Sequence, residues 1–171
     1  MKLLLYVNLS FLWAFDIGLV TSLVKPSFHI EEHWNSEMAV GAFLTGELDS
    51  AMNIYWQAQA EYTQMEAKRE PLLVHQIVLQ GGYNYHNQSY KWIPQLEGGM
   101  VLLFVRATKD NPEYLLSSNE SEYGLYSGLS YSWSFSNTLA LDVFSRWLVI
   151  WTLPERSHFM HHGIRLGWSL F

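Results

Sequence analysis

Apolar and polar residues alternate with a period of two along almost the whole chain after residue 14. Val40, Ala42 and Leu44, for example, share one parity, whereas Gly41 and Thr45 share the other. This period places successive side chains on opposite faces of a β-strand. No stretch after residue 14 reaches the roughly 18 consecutive apolar residues of a transmembrane helix. The pattern therefore predicts an all-β chain that crosses a membrane, if it does so, with strands.

The alternation and the turn residues between its runs predict about eight strands. The count holds if residues 38–62 form one strand, because a tight turn near Asp49 and Ser50 would divide them into two. The sequence leaves that choice open. The predicted strands cover roughly residues 15–23, 28–34, 38–62, 73–85, 90–104, 123–133, 139–151 and 160–170.

Residues 1–14 predict a signal peptide, which leaves residues 15–171 as one barrel domain. Lys2 is followed by an apolar run from Leu3 to Ala14 that only Asn8 and Ser10 interrupt. This run is too short to span a bilayer and suits the hydrophobic region of a signal peptide.

Alternation alone does not separate a membrane barrel from a soluble lipocalin-like barrel, but the connections favour the membrane. If the last strand ends in the periplasm, the predicted short turns all fall on the periplasmic side, and the longer connections all fall outside. That asymmetry is typical of outer-membrane barrels. The short turns are Asn35-Ser36, Asn87-Gln88 and Ser136-Asn137, and the longer connections lie near residues 64–72, 107–122 and 152–159.

The aromatic residues of the apolar face gather near the two ends of the predicted strands. Two such girdles mark the interfaces of a membrane barrel. The predicted periplasmic girdle holds Phe15, Trp34, Tyr83, Tyr85, Tyr90, Trp92, Tyr131, Trp133 and Trp168, and the outer girdle holds Tyr62, Phe104, Tyr123, Trp147 and Trp151.

Charged residues on the polar face predict an ion-pair network in the interior. An eight-stranded barrel is just wide enough for its inward side chains to fill it, and charges buried there must pair. We therefore expect a filled interior rather than an open channel. The predicted network contains Asp16, Glu31, Glu97, Asp142, Arg146 and Arg165.

The chain resembles the small bacterial outer-membrane barrels of the opacity-protein, OmpW-like and OmpA-transmembrane-domain type. The resemblance rests on the signal-like start, on WNSEMAVG and WSFSNTLAL at strand–turn–strand junctions, and on the ending GIRLGWSLF. It implies that Trp168, Leu170 and the final Phe171 are read by the barrel-assembly machinery. Phe171 departs from the family pattern, because it has the opposite parity from Trp168 and Leu170.

Three further patterns give weaker hypotheses. His29, Glu31 and His33 have ligand-type side chains on one parity and could share a metal ion with His161, but filling of the interior is the simpler interpretation. Arg156, His158, His161 and His162 could meet lipopolysaccharide phosphates or respond to pH. A lipid A-modifying hydrolase would need a serine, a histidine and an acid, for which the chain offers Ser145, Ser157, His158, His162 and Glu155.

The composition narrows the possible partners. The net charge of −6 disfavours nucleic acid, and the absence of cysteine excludes disulfides and thiolate metal sites. We expect no cofactor, no bound metal and a monomer. The partners we expect are outer-membrane lipid, lipopolysaccharide and the assembly machinery. The leading hypothesis is a barrel with a structural or surface-recognition role, and the alternatives are the hydrolase and the soluble ligand-binding barrel.

Overall fold

The computed structural model describes residues 15–27, 31–49, 51–68, 73–85, 94–108, 119–151 and 156–170. Eight antiparallel strands close into a barrel in which each strand pairs with its neighbours in sequence, and β1 pairs with β8. The predicted fold class is confirmed. The strands are β1 (Phe15–Ser27), β2 (Glu37–Asp49), β3 (Ile54–Glu66), β4 (Leu73–Tyr85), β5 (Gln95–Ala107), β6 (Asn119–Ser134), β7 (Leu139–Trp151) and β8 (Arg156–Ser169).

The pairing registers fix the tilt of the strands. We followed the paired residues from Ile17 on β1 around the barrel, from each strand to the next. The path returns to β1 at Ser27, ten positions after Ile17. A shear of ten around eight strands corresponds to a tilt of about 40°. Each residue therefore advances about 2.5 Å along the barrel axis.

The strand predicted over 28–34 is wrong for residues 31–34, the part of it that the structure describes, and the segment 38–62 contains two strands. Asp49 ends β2 because its Oδ1 accepts hydrogen bonds from the backbone N–H groups of Ala51 (2.9 Å) and Met52 (3.1 Å). Asn53 then takes a left-handed conformation (φ 55°), which asparagine tolerates better than most residues. The division of 38–62 is the alternative that the sequence left open. It adds one strand where the segment before it supplies none, so the count remains eight.

Residues 31–35 belong to the connection between β1 and β2. The backbone N–H of Asn35 donates to the carbonyl of Glu66 (3.0 Å), and that of Lys68 donates to the carbonyl of His33 (2.8 Å). Trp34 forms an isolated bridge with Ala67. This short ladder ties the first connection to the end of β3, which explains why its alternating residues do not continue the barrel wall.

We call the end that holds Phe15 and Ser169 the periplasmic end and the opposite end the outer end. The outer connections are residues 28–36, 67–72, 108–118 and 152–155, and the periplasmic ones are 50–53, 86–94 and 135–138. Asn35-Ser36 therefore lies at the outer end and not at the periplasmic end that the sequence predicts, and the 86–94 connection is longer than predicted. The difference in loop length is smaller than the sequence suggested.

The predicted division of side chains between the two faces of the wall is confirmed in every strand. Leu19 is 62% exposed and Met100 60%, whereas the inward Val20 and Val101 are buried. Both girdles lie on the outside, with Tyr83, Tyr131 and Trp168 near one end and Tyr62, Tyr123 and Trp151 near the other. Trp34 is an exception because it is buried at the outer end, and Tyr90 and Trp92 lie outside the described residues.

Among the described residues, no helix is both long and apolar enough to cross a membrane.

Candidate functional site

A network of buried charges crosses the middle of the barrel interior. Glu97 on β5 accepts hydrogen bonds from Arg146 Nε on β7 (2.5 Å) and from Arg165 on β8. Arg165 Nε also lies 3.3 Å from Asp142 Oδ2. The side chains of Glu97 and Arg146 are fully buried. One carboxylate thus joins two guanidinium groups from different strands. This pairing compensates the cost of burying the charges in a low-dielectric interior.

Gln80 extends this network to a second carboxylate. Its Oε1 accepts from Arg146 Nη1 (2.6 Å), and its Nε2 donates to Glu61 Oε1 (3.4 Å). Glu61 also accepts from Ser22 and Gln59, and its Oε1 lies 3.8 Å from His161 Nδ1. The chain of contacts therefore links β8, β5, β7, β4, β3 and β1 across the interior.

Aromatic rings hold the two guanidinium groups in place. Arg146 lies over the rings of Phe144 (4.6 Å) and Tyr126 (5.2 Å), and Arg165 lies over Phe144 (5.0 Å) and Phe43 (5.7 Å). Each stacking adds cation–π attraction to the ion pairs.

Glycine makes room for these rings. A Cβ at Gly18 would collide with the Phe43 ring and with the carbonyl oxygen of Leu166. A Cβ at Gly163 would approach the Phe144 ring to 2.8 Å. The inward glycines thus let the aromatic rings lie close to the barrel wall.

An apolar layer fills the outer half of the interior, where the sequence predicted polar residues. Val101, Leu103 and Val105 on β5 face inward and are buried, although their neighbours Leu102 and Phe104 face outward. Trp34 from the first connection joins this cluster at the outer end and is 9% exposed. The other members are Val24, Ala39, Met65, Ala67, Val74, Val78, Ala107, Tyr126, Leu148, Ile150 and Phe159.

A polar cavity of about 250 Å³ lies on the periplasmic side of the charge network. Asp16, Thr45 and Asn84 contribute to its lining, and Asp142 lies where it meets the network. The interior is therefore divided into three layers, with polar residues at the periplasmic end, paired charges in the middle and apolar residues at the outer end.

The structure brings together four of the six residues predicted for the charge network, namely Glu97, Asp142, Arg146 and Arg165. Asp16 lines the periplasmic cavity instead. The placement of Glu31 in the interior is wrong, because its segment is not a strand of the wall. Glu31 is exposed near Lys25 (3.7 Å), and its carbonyl accepts from Lys68 Nζ (2.6 Å).

The network also contains residues that the sequence hypothesis did not select. Gln57 accepts from Arg165 Nη1 and from Asn84 Nδ2, and Glu61 and Gln80 have the roles given above. Gln57, Gln59 and Glu61 share the polar parity of β3, so the alternation places all three inward but does not show which of them meet the arginines.

Basic residues mark the outer end of the exterior. Lys25, Arg106 and Arg156 occupy outward positions on β1, β5 and β8 near this end. His75 on β4 pairs with Arg106 and accepts or donates a hydrogen bond with Tyr62 OH (2.7 Å). At the other end, Trp168 and Leu170 face outward, and Phe171 lies outside the described residues.

The other histidines do not form the groupings that the sequence suggested. His161 points inward to Glu61, whereas His162 faces outward beside Ser145, its pairing partner on β7. His158 packs against Trp147 (5.7 Å between ring centroids). His29 and Glu155 lie outside the described residues. Among the described residues no group of three or more His, Cys, Asp or Glu side chains is arranged to hold a metal ion.

Comparisons with solved structures identify barrels of the same architecture. Neisserial surface protein A is 18% identical over 89% of this chain and 97% of its own, with a TM-score of 0.50. Ail of Yersinia pestis is 11% identical over 92% and 97% (TM-score 0.54), and OprG of Pseudomonas aeruginosa is 10% identical over 92% and 95% (TM-score 0.56). No protein-family model matches the chain, and no curated protein matches it.

The chain is thus a closed, antiparallel barrel with an apolar exterior and two aromatic girdles. It has the fold of the small eight-stranded barrels of the bacterial outer membrane, which is the class that the sequence resembles. The predicted location in that membrane agrees with both the fold and the exterior.

Proposed function

We propose that the chain is a non-conducting outer-membrane barrel that acts through its outer connections in surface recognition or in the organisation of the envelope. The observation that carries this proposal is the charge network, because it joins strands on different sides of the interior through contacts of hydrogen-bond length. Hydrated ions would have to break those contacts to pass. Breaking a buried ion pair leaves uncompensated charge and is strongly unfavourable.

The apolar layer supports the same conclusion. Val101, Leu103 and Ile150 are among the inward residues that fill the outer half, and Trp34 covers them from the first connection. A passage lined by such side chains would have no polar groups to replace the water around an ion. Two successive barriers, one charged and one apolar, therefore oppose conduction.

The outer connections are the remaining candidates for a function at the surface. Ail, which shares this fold, is described as the attachment invasion locus protein, and one of its structures contains a heparin analogue, sucrose octasulfate. Ail and this chain are similar in fold only. For this chain we propose that the rigid barrel presents the connections at 28–36 and 108–118, which are the longest at the outer end.

Conductance across a planar lipid bilayer tests this proposal. We expect no stepwise current from the wild-type barrel. A variant that removes both barriers, with Glu97, Arg146 and Arg165 replaced by Ala and with Trp34, Leu103 and Ile150 replaced by Ser, should leak small ions. It shows that an opened barrel would be detected. Regular, ion-selective steps from correctly folded wild-type protein would contradict the proposal.

Lipopolysaccharide is the lipid partner we propose for the outer end. Lys25, Arg106 and Arg156 face outward there, where the phosphates of lipopolysaccharide lie, and cationic side chains bind phosphate through charge-assisted hydrogen bonds. Added lipopolysaccharide should raise the unfolding temperature of the wild type. Exchange of all three residues for Gln should reduce that rise, whereas exchange of the periplasmic Glu47 for Gln should not. An unchanged rise in the triple variant would refute this assignment.

We also propose that the last strand is recognised by the barrel-assembly machinery, as the resemblance implies. Trp168 and Leu170 present one outward row at the end of β8, with Leu170 N–H donating to the carbonyl of Phe15 (3.4 Å). Replacement of both residues by Ser should slow assembly in cells and leave spontaneous folding in detergent largely unchanged. Equal assembly of variant and wild type would exclude a recognition role.

The lipid A hydrolase is less well supported. Ser145 and His162 are paired and both face outward from the wall, but the outward positions around them carry no acidic side chain. Without such a group nothing orients the imidazole as a general base.

A further inference from the structure

Three polar side chains face outward near the middle of the barrel wall, on β6, β7 and β8. Ser145 is paired directly with His162, and Ser127 is paired with Trp147, the next outward residue along β7. His162 and Ser127 are exposed, and Ser145 is partly exposed. We call these three residues the mid-wall polar patch.

The patch lies at the depth of the centre of the bilayer. His162 is six residues from Trp168, in the periplasmic girdle, and six residues from Arg156, which pairs with Trp151 of the outer girdle. At about 2.5 Å per residue, His162 is about 15 Å from each of them. The apolar band of a membrane barrel is about 25 Å tall, so the imidazole meets acyl chains rather than headgroups.

Acyl chains offer no hydrogen bonds to these side chains. Within the part of the chain that the structure describes, none of the three has a hydrogen-bond partner. The opposite wall is different, since the outward residues near the middle of β2, β4 and β5 are Val40, Leu79 and Met100. An ionisable residue in lipid is costly and points to an interaction within the membrane.

We infer that the mid-wall polar patch is an interface with a second copy of this chain. A two-fold axis along the bilayer normal keeps every residue at its own depth, so the patch of one copy meets the patch of the other. Neutral imidazole and hydroxyl groups each donate and accept, which makes the set self-complementary. The sequence predicted a monomer, and the unsatisfied patch is the reason to expect self-association.

Single-cysteine cross-linking tests this inference, because the wild-type chain has no cysteine. Ile164→Cys places a thiol on the outward position next to His162, and Leu79→Cys places a matched thiol on the opposite wall. In vesicles at low protein-to-lipid ratio, we expect a cross-linked product of twice the chain mass from Ile164→Cys and at least fivefold less from Leu79→Cys.

A second variant tests whether cross-linking depends on the mid-wall polar patch or arises from chance collisions between copies. Ile164→Cys combined with Ser127→Ala, Ser145→Ala and His162→Leu should fold at least as well in lipid, because the three polar side chains without hydrogen-bond partners are then replaced by apolar ones. Its cross-linked dimer should fall at least fivefold. Equal yields at the two cysteine positions, an unchanged yield in the combined variant, or a product in native membranes that contains another protein would each overturn the inference.

Discussion

The carboxylate of Glu97 lies 2.5 Å from Nε of Arg146, and both side chains are completely shielded from solvent. The two residues are on β5 and β7, which are not neighbours in the sheet. Their contact therefore passes over the inner face of β6, the strand between them. Loss of an ion pair in this position should therefore lower the stability of the barrel.

The first prediction concerns this ion pair. Glu97→Gln should reduce the free energy of unfolding by about 3 kcal/mol, because Arg146 and Arg165 lose the charge that compensates them both. Urea titration in lipid vesicles, followed by tryptophan fluorescence, measures the change. Glu66→Gln, which alters an exposed carboxylate at the outer end of β3, is the control and should change little. A loss below 0.5 kcal/mol for Glu97→Gln would show that the pair does not stabilise the fold.

The second prediction concerns the space beside Phe43. Gly18→Ala should destabilise the barrel by about 1–3 kcal/mol, because the new methyl group would collide with the Phe43 ring and the Leu166 carbonyl. Gly81→Ala is the matched control, since a Cβ there meets nothing within 4 Å. Equal unfolding midpoints for the two variants would mean that Phe43 does not pack against β1 as described.

The third prediction concerns the apolar cover at the outer end. Trp34→Ala should cost about 3 kcal/mol of unfolding free energy, because it leaves a cavity above the buried cluster. Trp151→Ala removes a ring of the same size from the lipid-facing side and serves as the comparison. If Trp34→Ala were the milder change, the first connection would not cover the interior.

The two faces of the wall could be predicted from the sequence because alternation is a local property. Each residue of a strand is placed by its parity, whatever the strand pairs with. Leu19 and Met100 therefore faced outward as predicted, and Arg146 and Arg165 faced inward. The same parity places Glu61 inward, although the predicted charge network does not include it.

The assignment of segments to the wall depends on interactions that alternation does not encode. Residues 28–34 alternate as a strand does, but Trp34 pairs with Ala67 outside the barrel ladders. The turn after Asp49 depends on a side-chain cap and on the left-handed Asn53. Because the first third of the predicted wall was shifted, Glu31 was assigned to the interior in error.

The apolar layer was missed for a different reason. Residues 101–105 read Val-Leu-Leu-Phe-Val, so both faces of β5 are apolar there and the alternation disappears. A run of this kind suits a strand that is covered on both sides, by lipid outside and by packed side chains inside. The inward residues of this run are therefore apolar, although the interior as a whole is predicted to be polar.

The apolar outward face of the wall should make folding of the barrel depend on lipid. The measurement that tests it is the folding of residues 15–171 in lipid vesicles and in plain buffer, followed by β-type circular dichroism and by heat-modifiable migration on a gel. We predict a compact, heat-modifiable β-form in vesicles and none in buffer. A chain that folds equally well in buffer would contradict the account, because residues such as Leu19, Met100 and Trp133 would then have to be packed inside.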